Sequence, residues 1–321
     1  MNVHGSARVT EQILIALPCE GHLSQNSTPL LVFDVGGSHI AGGLFHADQT
    51  TVDSVHSLPV RESGSADEFF ATFESLKTMI LPTTPSSCGV AVAIPNPFDY
   101  ERGISYMQHK YKDLYGKNVR GGLAHRLGCD PCRVHFLNDA AAFLLGELCH
   151  GAAAGARRAI GITLGTGVGS AFAVDGKIVT AGIGVPAGGE IWNVRYRNGV
   201  VEDFISTRSI QGKYEQLAGI RAQVREIASR DEALARQTFD GFGKELGRVL
   251  REVCLGFAPD RIVLGGGISH AAQVFLRIAE EELAAPEVQL WVSQLFEQAP
   301  LLGAGASWKD SGRTSAHALA E

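Results

Sequence analysis

No uninterrupted apolar run reaches the about 18 residues that mark a membrane-spanning helix, so none is expected. Basic charge is also short. Lys and Arg number 28 against 34 Asp and Glu, for a formal net charge of −6. Nothing here builds the basic field that DNA or RNA would need, so no nucleic-acid partner is expected. Of the six cysteines, only Cys129 and Cys132 share metal or redox spacing, and a zinc ribbon requires a second such pair. Residues 1–28 lack the basic start and small-residue cleavage site of a signal peptide. The expected setting is therefore a reducing cytoplasm, with all cysteines as thiols. No GxxxxGKS/T motif occurs, so this is not a Walker-type P-loop. No GxGxxG leads from a strand into a helix ahead of an acid, which excludes a Rossmann fingerprint.

Glycine, by contrast, is abundant: 38 of 321 residues, where about 7% is usual. There is no Gly-X-Y period, and the glycines cluster after apolar runs. Residues 1–28 read as a flexible extension, with a polar linker at 21–29. Residues 30–33 form a short strand that ends in Asp34-Val35-Gly36-Gly37-Ser38-His39 and returns as a hairpin. A third strand is expected at Thr51–Pro59. Ala66–Ile80 has helical spacing, with Phe69, Phe70, Phe73, Leu76 and Ile80 on one face. Residues 88–94 read as a buried strand stopped by Pro95-Asn96-Pro97. A helix at Val119–Leu127 and a strand at 133–137 follow. Asn138-Asp139 then opens another helix.

The pattern restarts at residue 158. A strand at 158–164 meets Gly165-Thr166-Gly167-Val168-Gly169, and residues 171–174 run back. A helical region is expected over 203–252. The strand at 261–264 ends in Gly265-Gly266-Gly267. Each half therefore places hairpin strands before alternating helices and strands, which suggests duplication of an α/β unit. The polar tail, 307–321, is expected to fray.

Three strands ending in glycine clusters expose backbone N–H groups without side chains in the way. Two such turns facing one another would clamp a polyphosphate. One alone would be an ordinary hairpin turn. Asp34, at the first turn, is placed to hold Mg²⁺ directly or through water; its alternative is a turn-forming aspartate. Asp139, at a helix start, is expected to be ionised by the helix dipole and able to act as a general base for a hydroxyl. Its alternative is an N-cap. Tyr106, Lys110, Lys112 and Tyr115 belong to an expected loop over a cleft. His109 and His135 read as surface or core fillers.

Taken together, these motifs resemble the ROK family of sugar kinases, in the actin-like ATPase superfamily. Asp34-Val35-Gly36-Gly37-Ser38-His39 is similar to the family's DxGGTK loop, and Leu137-Asn138-Asp139-Ala140-Ala141 to its NDANA segment. Residues 164–169 resemble the second phosphate loop, Gly188-Gly189-Glu190 the start of AGExGH, and residues 263–267 the adenosine loop. The resemblance implies an α/β fold of duplicated ribonuclease-H-like, actin/hexokinase-type domains, with ATP and sugar in the cleft between them. It implies an N-terminal domain at 29–149 and a C-terminal domain at 150–301, with a last helix around 302–314 packing back on the first. By it, Asp139 deprotonates a sugar hydroxyl, and Asn138, Glu190 and Glu202 hold sugar hydroxyls. Gly36, Gly37, Ser38, His39, Gly165, Thr166, Gly167, Gly265, Gly266 and Gly267 bind ATP, and Asp34 positions Mg²⁺. Members are commonly dimers or tetramers, and a homodimer is the state expected first.

The departures from the family pattern are specific. Glu190-Ile191-Trp192-Asn193 lacks the usual His, and no Cys lies between Asn193 and Ser206, so no structural zinc is expected. Asn193 would offer a hydrogen bond where the His stands, and Asn96 replaces a Gly and would face the sugar. His39 stands where the family has Lys. The implied activity is ATP-dependent phosphorylation of a hexose, with glucose at its 6-hydroxyl first. Alternatives are another hexose or an N-acetylated hexosamine, polyphosphate as donor, a non-catalytic sugar-binding protein, or a regulator. A regulator would need a helix-turn-helix domain, for which the stretch ahead of Asp34 is too short.

Overall fold

The computed structural model describes residues 29–81, 88–108 and 110–317, with no side-chain detail from 309 on. The expectations for residues 1–28 and for His109 lie outside the described residues. The first half contains β1 (Leu30–Val35), β2 (His39–His46), β3 (Thr51–Pro59), α1 (Ala66–Ile80), β4 (Gly89–Ile94), α2 (Val119–Leu127) and β5 (Val134–Asn138). Helix α3 (Asp139–His150) follows. The second half contains β6 (Arg158–Leu164), β7 (Val168–Val174), β8 (Lys177–Val179), α4 (Glu202–Ile205), α5 (Thr207–Ala218), α6 (Val224–Ser229) and α7 (Ala233–Val249). It closes with β9 (Arg261–Gly265), α8 (Leu276–Leu283), β10 (Gln289–Val292) and α9 (Ala299–His317).

Each half forms a five-stranded sheet of one topology. The orders are β3-β2-β1-β4-β5 and β8-β7-β6-β9-β10. In both, three antiparallel hairpin strands are followed by parallel additions, so the repeat read from the glycine turns is a repeat of architecture. The parallel strands β1, β4 and β5 finish together, and so do β6 and β9.

Helix α1 starts at Ser65, whose side chain accepts from the Glu68 N–H while Glu68 reaches back to the Ser65 N–H. Its Phe69, Phe73, Leu76 and Ile80 are buried as the spacing predicted, and Phe70 is half-buried. Phe33 and Phe73 meet edge to face at 4.9 Å, and Phe69 continues the stack to Tyr111 at 5.2 Å. Each such ring, fully buried, contributes roughly 1.5–3 kcal/mol.

Two helices cross between the halves. Phe143 and Leu144 of α3 pack with Ala159, Ala171 and Val263 of the second sheet. Leu301, Leu302 and Ala304 of α9 pack with Leu30, Val32 and Ala91 of the first. Each sheet is thus covered by a helix that follows the other in sequence, and α3 and α9 lie against one another.

Four readings change. The expected helical region 203–252 is broken into four helices, at the extended Ser206 and at connections 219–223 and 230–232, of which the former is opened by Gly219 at φ 72°. The strand after the second glycine turn begins at Val168, because Thr163 and Leu164 pair with Gly169 and Val168 as soon as the chain reverses. The last helix begins at Ala299. It also continues through His317, where fraying was expected, and its first turns dock on the first sheet through Leu301, Leu302 and Ala304. Cys132 lies within the single helical turn Pro131–Arg133, and Cys129 precedes it. His135 is half-buried and shares a 3.0 Å hydrogen bond with Ser307.

Candidate active site

The ends of β1, β4 and β5 place Asp34, Asn96 and Asn138-Asp139 along one rim. Asp34 pairs in register with Ala93, and Ile94 with Asn138. Open α/β sheets gather ligand contacts at the carboxyl ends of parallel strands. The glycine turns after β6 and β9 sit at the matching ends of the second sheet, where Gly265 pairs with Thr163.

The first turn is held by the Gly36 N–H donating to the His39 carbonyl at 3.0 Å, which leaves Gly37, Ser38 and His39 exposed. Ser38 and His39 hydrogen-bond to one another at 2.9 Å. The Tyr111 hydroxyl donates to the Gly36 carbonyl, so the segment carrying Lys110 is tied to this turn. In the second turn, the Gly165 N–H donates to the Gly167 carbonyl at 3.0 Å and Thr166 is exposed. The start of α5 braces it, with the Thr207 N–H on the Gly165 carbonyl at 2.8 Å. In the third, Gly266 has φ 80°, and a Cβ there would lie 2.5 Å from the Leu164 carbonyl oxygen. Only glycine lets this turn sit so close to the second. Gly267 beside it is exposed, and Gly265 is buried against Phe143.

Asn138 caps α3, its side-chain oxygen accepting from the Ala141 N–H at 3.0 Å. The capping task therefore falls to Asn138 rather than Asp139. Asp139 Oδ1 accepts from the Ala140 N–H at 2.9 Å. The expectation that the helix start would favour the ionised form is corrected: burial pushes the Asp139 carboxyl above its usual range and outweighs the backbone N–H bonds. Asp34 is corrected as well. It stands within β1, not in the turn, and keeps a solvent-facing edge although protein surrounds its carboxyl. Burial, reinforced by the charge of Asp139, pushes its pKa up to about 7. The positive charge of Lys110 opposes the rise at both carboxylates.

Asn96, from the first half, donates from Nδ2 to Glu190 Oε1 of the second. The Trp192 indole N–H donates to Glu190 Oε2 at 2.8 Å. Glu202 Oε2 accepts from the Val168 N–H at 3.0 Å, so one carboxylate oxygen braces the second glycine turn. Asn193 is exposed beside this cluster. Two carboxylates that feel one another's charge suit a hard cation that binds one or two carboxylates plus phosphates, so Asp34 and Asp139 fit Mg²⁺. No group of three or more His, Cys, Asp or Glu with metal-binding geometry occurs among the described residues.

Two contributors had no assigned role in the sequence. Tyr100 touches both Asn96 and Asn138. Tyr111 was only part of a loop. No spacing rule pointed to either, because each reaches its partner through tertiary packing.

Two like sheets with crossing helices, and glycine turns at the strand ends, give the actin-like ATPase type of α/β fold. The ROK family model matches residues 31–311, and the chain belongs to that family. It is 26% identical over 314 residues to a glucokinase of Thermotoga maritima, covering 88% of this chain and 97% of the relative. It is also 26% identical over 266 residues to an N-acetyl-D-glucosamine kinase of Pectobacterium carotovorum, covering 76% and 85%. In fold it is similar to a ROK glucokinase from Streptomyces griseus solved with glucose and AMPPNP. That match has a TM-score of 0.73 at 20% identity and covers 87% of this chain and 98% of the other.

Proposed function

We propose that this ROK-family sugar kinase transfers the γ-phosphoryl group of ATP to a hexose, with the 6-hydroxyl of glucose as the leading acceptor. The observation that carries the reading is the desolvated Asp139 carboxyl, on the strand-end rim it shares with Asp34 and within reach of that residue's charge. Burial makes Asp139 a stronger base than a free aspartate while Oδ1 stays fixed by the Ala140 N–H. Its other oxygen is left to take the hydroxyl proton, a role that contributes about 10²–10⁴ in rate.

Asn96, Asn138, Glu190 and Glu202 hold and orient the sugar hydroxyls, and Asn193 stands beside them. The backbone of Gly36, Gly37, Gly165, Thr166 and Gly167, with the Ser38 and His39 side chains, cradles the phosphates. Gly265, Gly266 and Gly267 border the nucleoside. Asp34 would hold Mg²⁺, directly or through water, and the ion when bound would neutralise charge on the phosphate oxygens. Closure of the two halves over the sugar keeps water from taking the phosphoryl group.

An N-acetylated hexosamine is the second reading. The Asn96 and Asn138 amides carry N–H donors suited to an acetamido carbonyl, and a relative of 26% identity is named for N-acetyl-D-glucosamine. A coupled ADP-release assay tests both, using Mg·ATP with glucose, mannose, allose, fructose, N-acetylglucosamine and N-acetylmannosamine. Turnover on glucose well above the others supports the first reading, and preference for an acetylated sugar supports the second. No turnover on any, by folded protein with either ATP or polyphosphate, overturns both.

A further inference from the structure

Tyr100 follows a two-residue strand, Phe98–Asp99, and its ring packs on Phe98 at 5.4 Å. The ring is held in the first core, and its hydroxyl reaches the candidate sugar pocket. That hydroxyl lies 2.8 Å from Asn96 Oδ1 and 3.1 Å from the Ile94 carbonyl, and it accepts from Asn138 Nδ2 at 3.3 Å. Asn138 Oδ1 is already taken by the Ala141 N–H. Asn96 Nδ2 is engaged by Glu190, whose second oxygen accepts from Trp192.

The Tyr100 hydroxyl has one proton, shared between the Asn96 oxygen and the Ile94 carbonyl, and its lone pair accepts from Asn138. An amide has one acceptor oxygen and two N–H donors. With one N–H of Asn96 on Glu190 and one of Asn138 on Tyr100, each amide has one N–H left for a ligand. Glu190 and Asp139 have only acceptor capacity left. The pocket then offers two donors from one side and carboxylate acceptors from the other, in fixed positions.

We infer that Tyr100 is the positioning residue that fixes this donor–acceptor pattern and, through it, the choice among hexose epimers. The inference rests on the sugar-kinase reading. Without the phenol oxygen, Asn96 loses the donor to its carbonyl and Asn138 loses its acceptor. Asn138 then keeps only its bond from the Ala141 N–H and Asn96 only its bond to Glu190, so each amide is held at one end and can tilt. An equatorial and an axial hydroxyl at one carbon would no longer meet donors in fixed positions.

The test is Tyr100→Phe, which removes one oxygen and leaves the ring. Calorimetry without nucleotide measures the Kd of glucose, mannose and allose, and steady-state assays give kcat and KM. The expected result is a tenfold or greater rise in Kd and KM for the sugar bound best by the wild type. The preference over its epimers narrows, kcat falls less than threefold and KM for ATP is unchanged. Asn96→Ala should reproduce the loss, and the double variant should lose little more, because one residue acts through the other. A purely structural role would instead lower the melting temperature without splitting KM from kcat.

Folded Tyr100→Phe with Kd, KM and epimer preference within twofold of wild type overturns the inference. If wild type binds a sugar but turns none over, the kinase reading fails while the Kd comparison still decides for or against Tyr100. If wild type binds none of these sugars, the role of Tyr100 falls with the sugar pocket.

Discussion

Gly303 of α9 lies directly on the Ala142 carbonyl of α3, and a Cβ added at Gly303 would overlap that oxygen. Gly146 of α3 meets the Ala299 carbonyl in the same way. The two helices thus touch backbone to backbone, and they cover opposite sheets. Because Asp139 begins α3, this contact carries the position of the candidate base from the joint between the halves.

Gly303→Ala should therefore disturb both stability and catalysis. Neither helix can yield without moving its sheet. We expect a loss of about 1–3 kcal/mol, the usual cost of overpacking, read from urea melts. We also expect kcat to fall with it. Gly176→Ala is the control: Gly176 is in a hairpin turn with open space around a Cβ, so only its φ of 78° is strained. Its kcat should stay near wild type. Equal kcat values in the two variants would separate the helix contact from catalysis.

Asp139→Asn keeps the volume and the Oδ1 bond to the Ala140 N–H but removes the base. Turnover should fall by about 10²-fold or more, with sugar Kd changed little. The measurements are single-turnover kinetics for the loss and calorimetry for binding. Retained turnover would remove Asp139 from the role of base.

Glu202 was expected on the sugar, yet one of its oxygens braces the Gly167–Val168 turn. Glu202→Ala leaves the Val168 N–H without this acceptor. It should raise KM for ATP roughly fivefold, the equivalent of about 1 kcal/mol, as well as weakening the sugar. If KM for ATP is unchanged, the brace does not matter to the nucleotide.

Much of this was legible in one dimension. Thr51–Pro59, Ala66–Ile80 and Val119–Leu127 are local patterns of alternation, helical spacing and turn residues, and they stand where the spacing put them. The two glycine turns marked the internal repeat for the same reason. Position relative to burial was not legible. Asp34 reads as a turn residue because a carboxylate in a strand is costly, and only the fold shows Asp139 and Lys110 beside it. Dipole reasoning at Asp139 failed because desolvation, which no local window reveals, acts more strongly. Tyr100 was hidden for a related reason: its partners Asn96 and Asn138 come from the ends of two different strands.

The raised carboxyl of Asp34 has a consequence for stability with a definite sign. Its pKa in the folded chain is about 7, above the ordinary 3.8. Between those values the folded chain holds a proton that the unfolded chain has released. The stability contributed is fully present below the lower value and is lost as pH rises through the upper one. In the protein without nucleotide or Mg²⁺, wild type should thus lose stability from pH 4 to pH 8 relative to Asp34→Asn, which carries no charge. A shift of this size corresponds to about 4 kcal/mol at most. The solvent-facing edge of Asp34 should reduce the change to about 1–3 kcal/mol. Lys110→Met should enlarge it, because the amine opposes the charge of both Asp34 and Asp139. Urea melts of the three proteins at pH 4, 6 and 8 provide the comparison. If the gap between wild type and Asp34→Asn stays constant across that range, Asp34 ionises as a solvent-exposed group does. The two carboxylates would then not form the electrostatically strained pair that favours a bound cation.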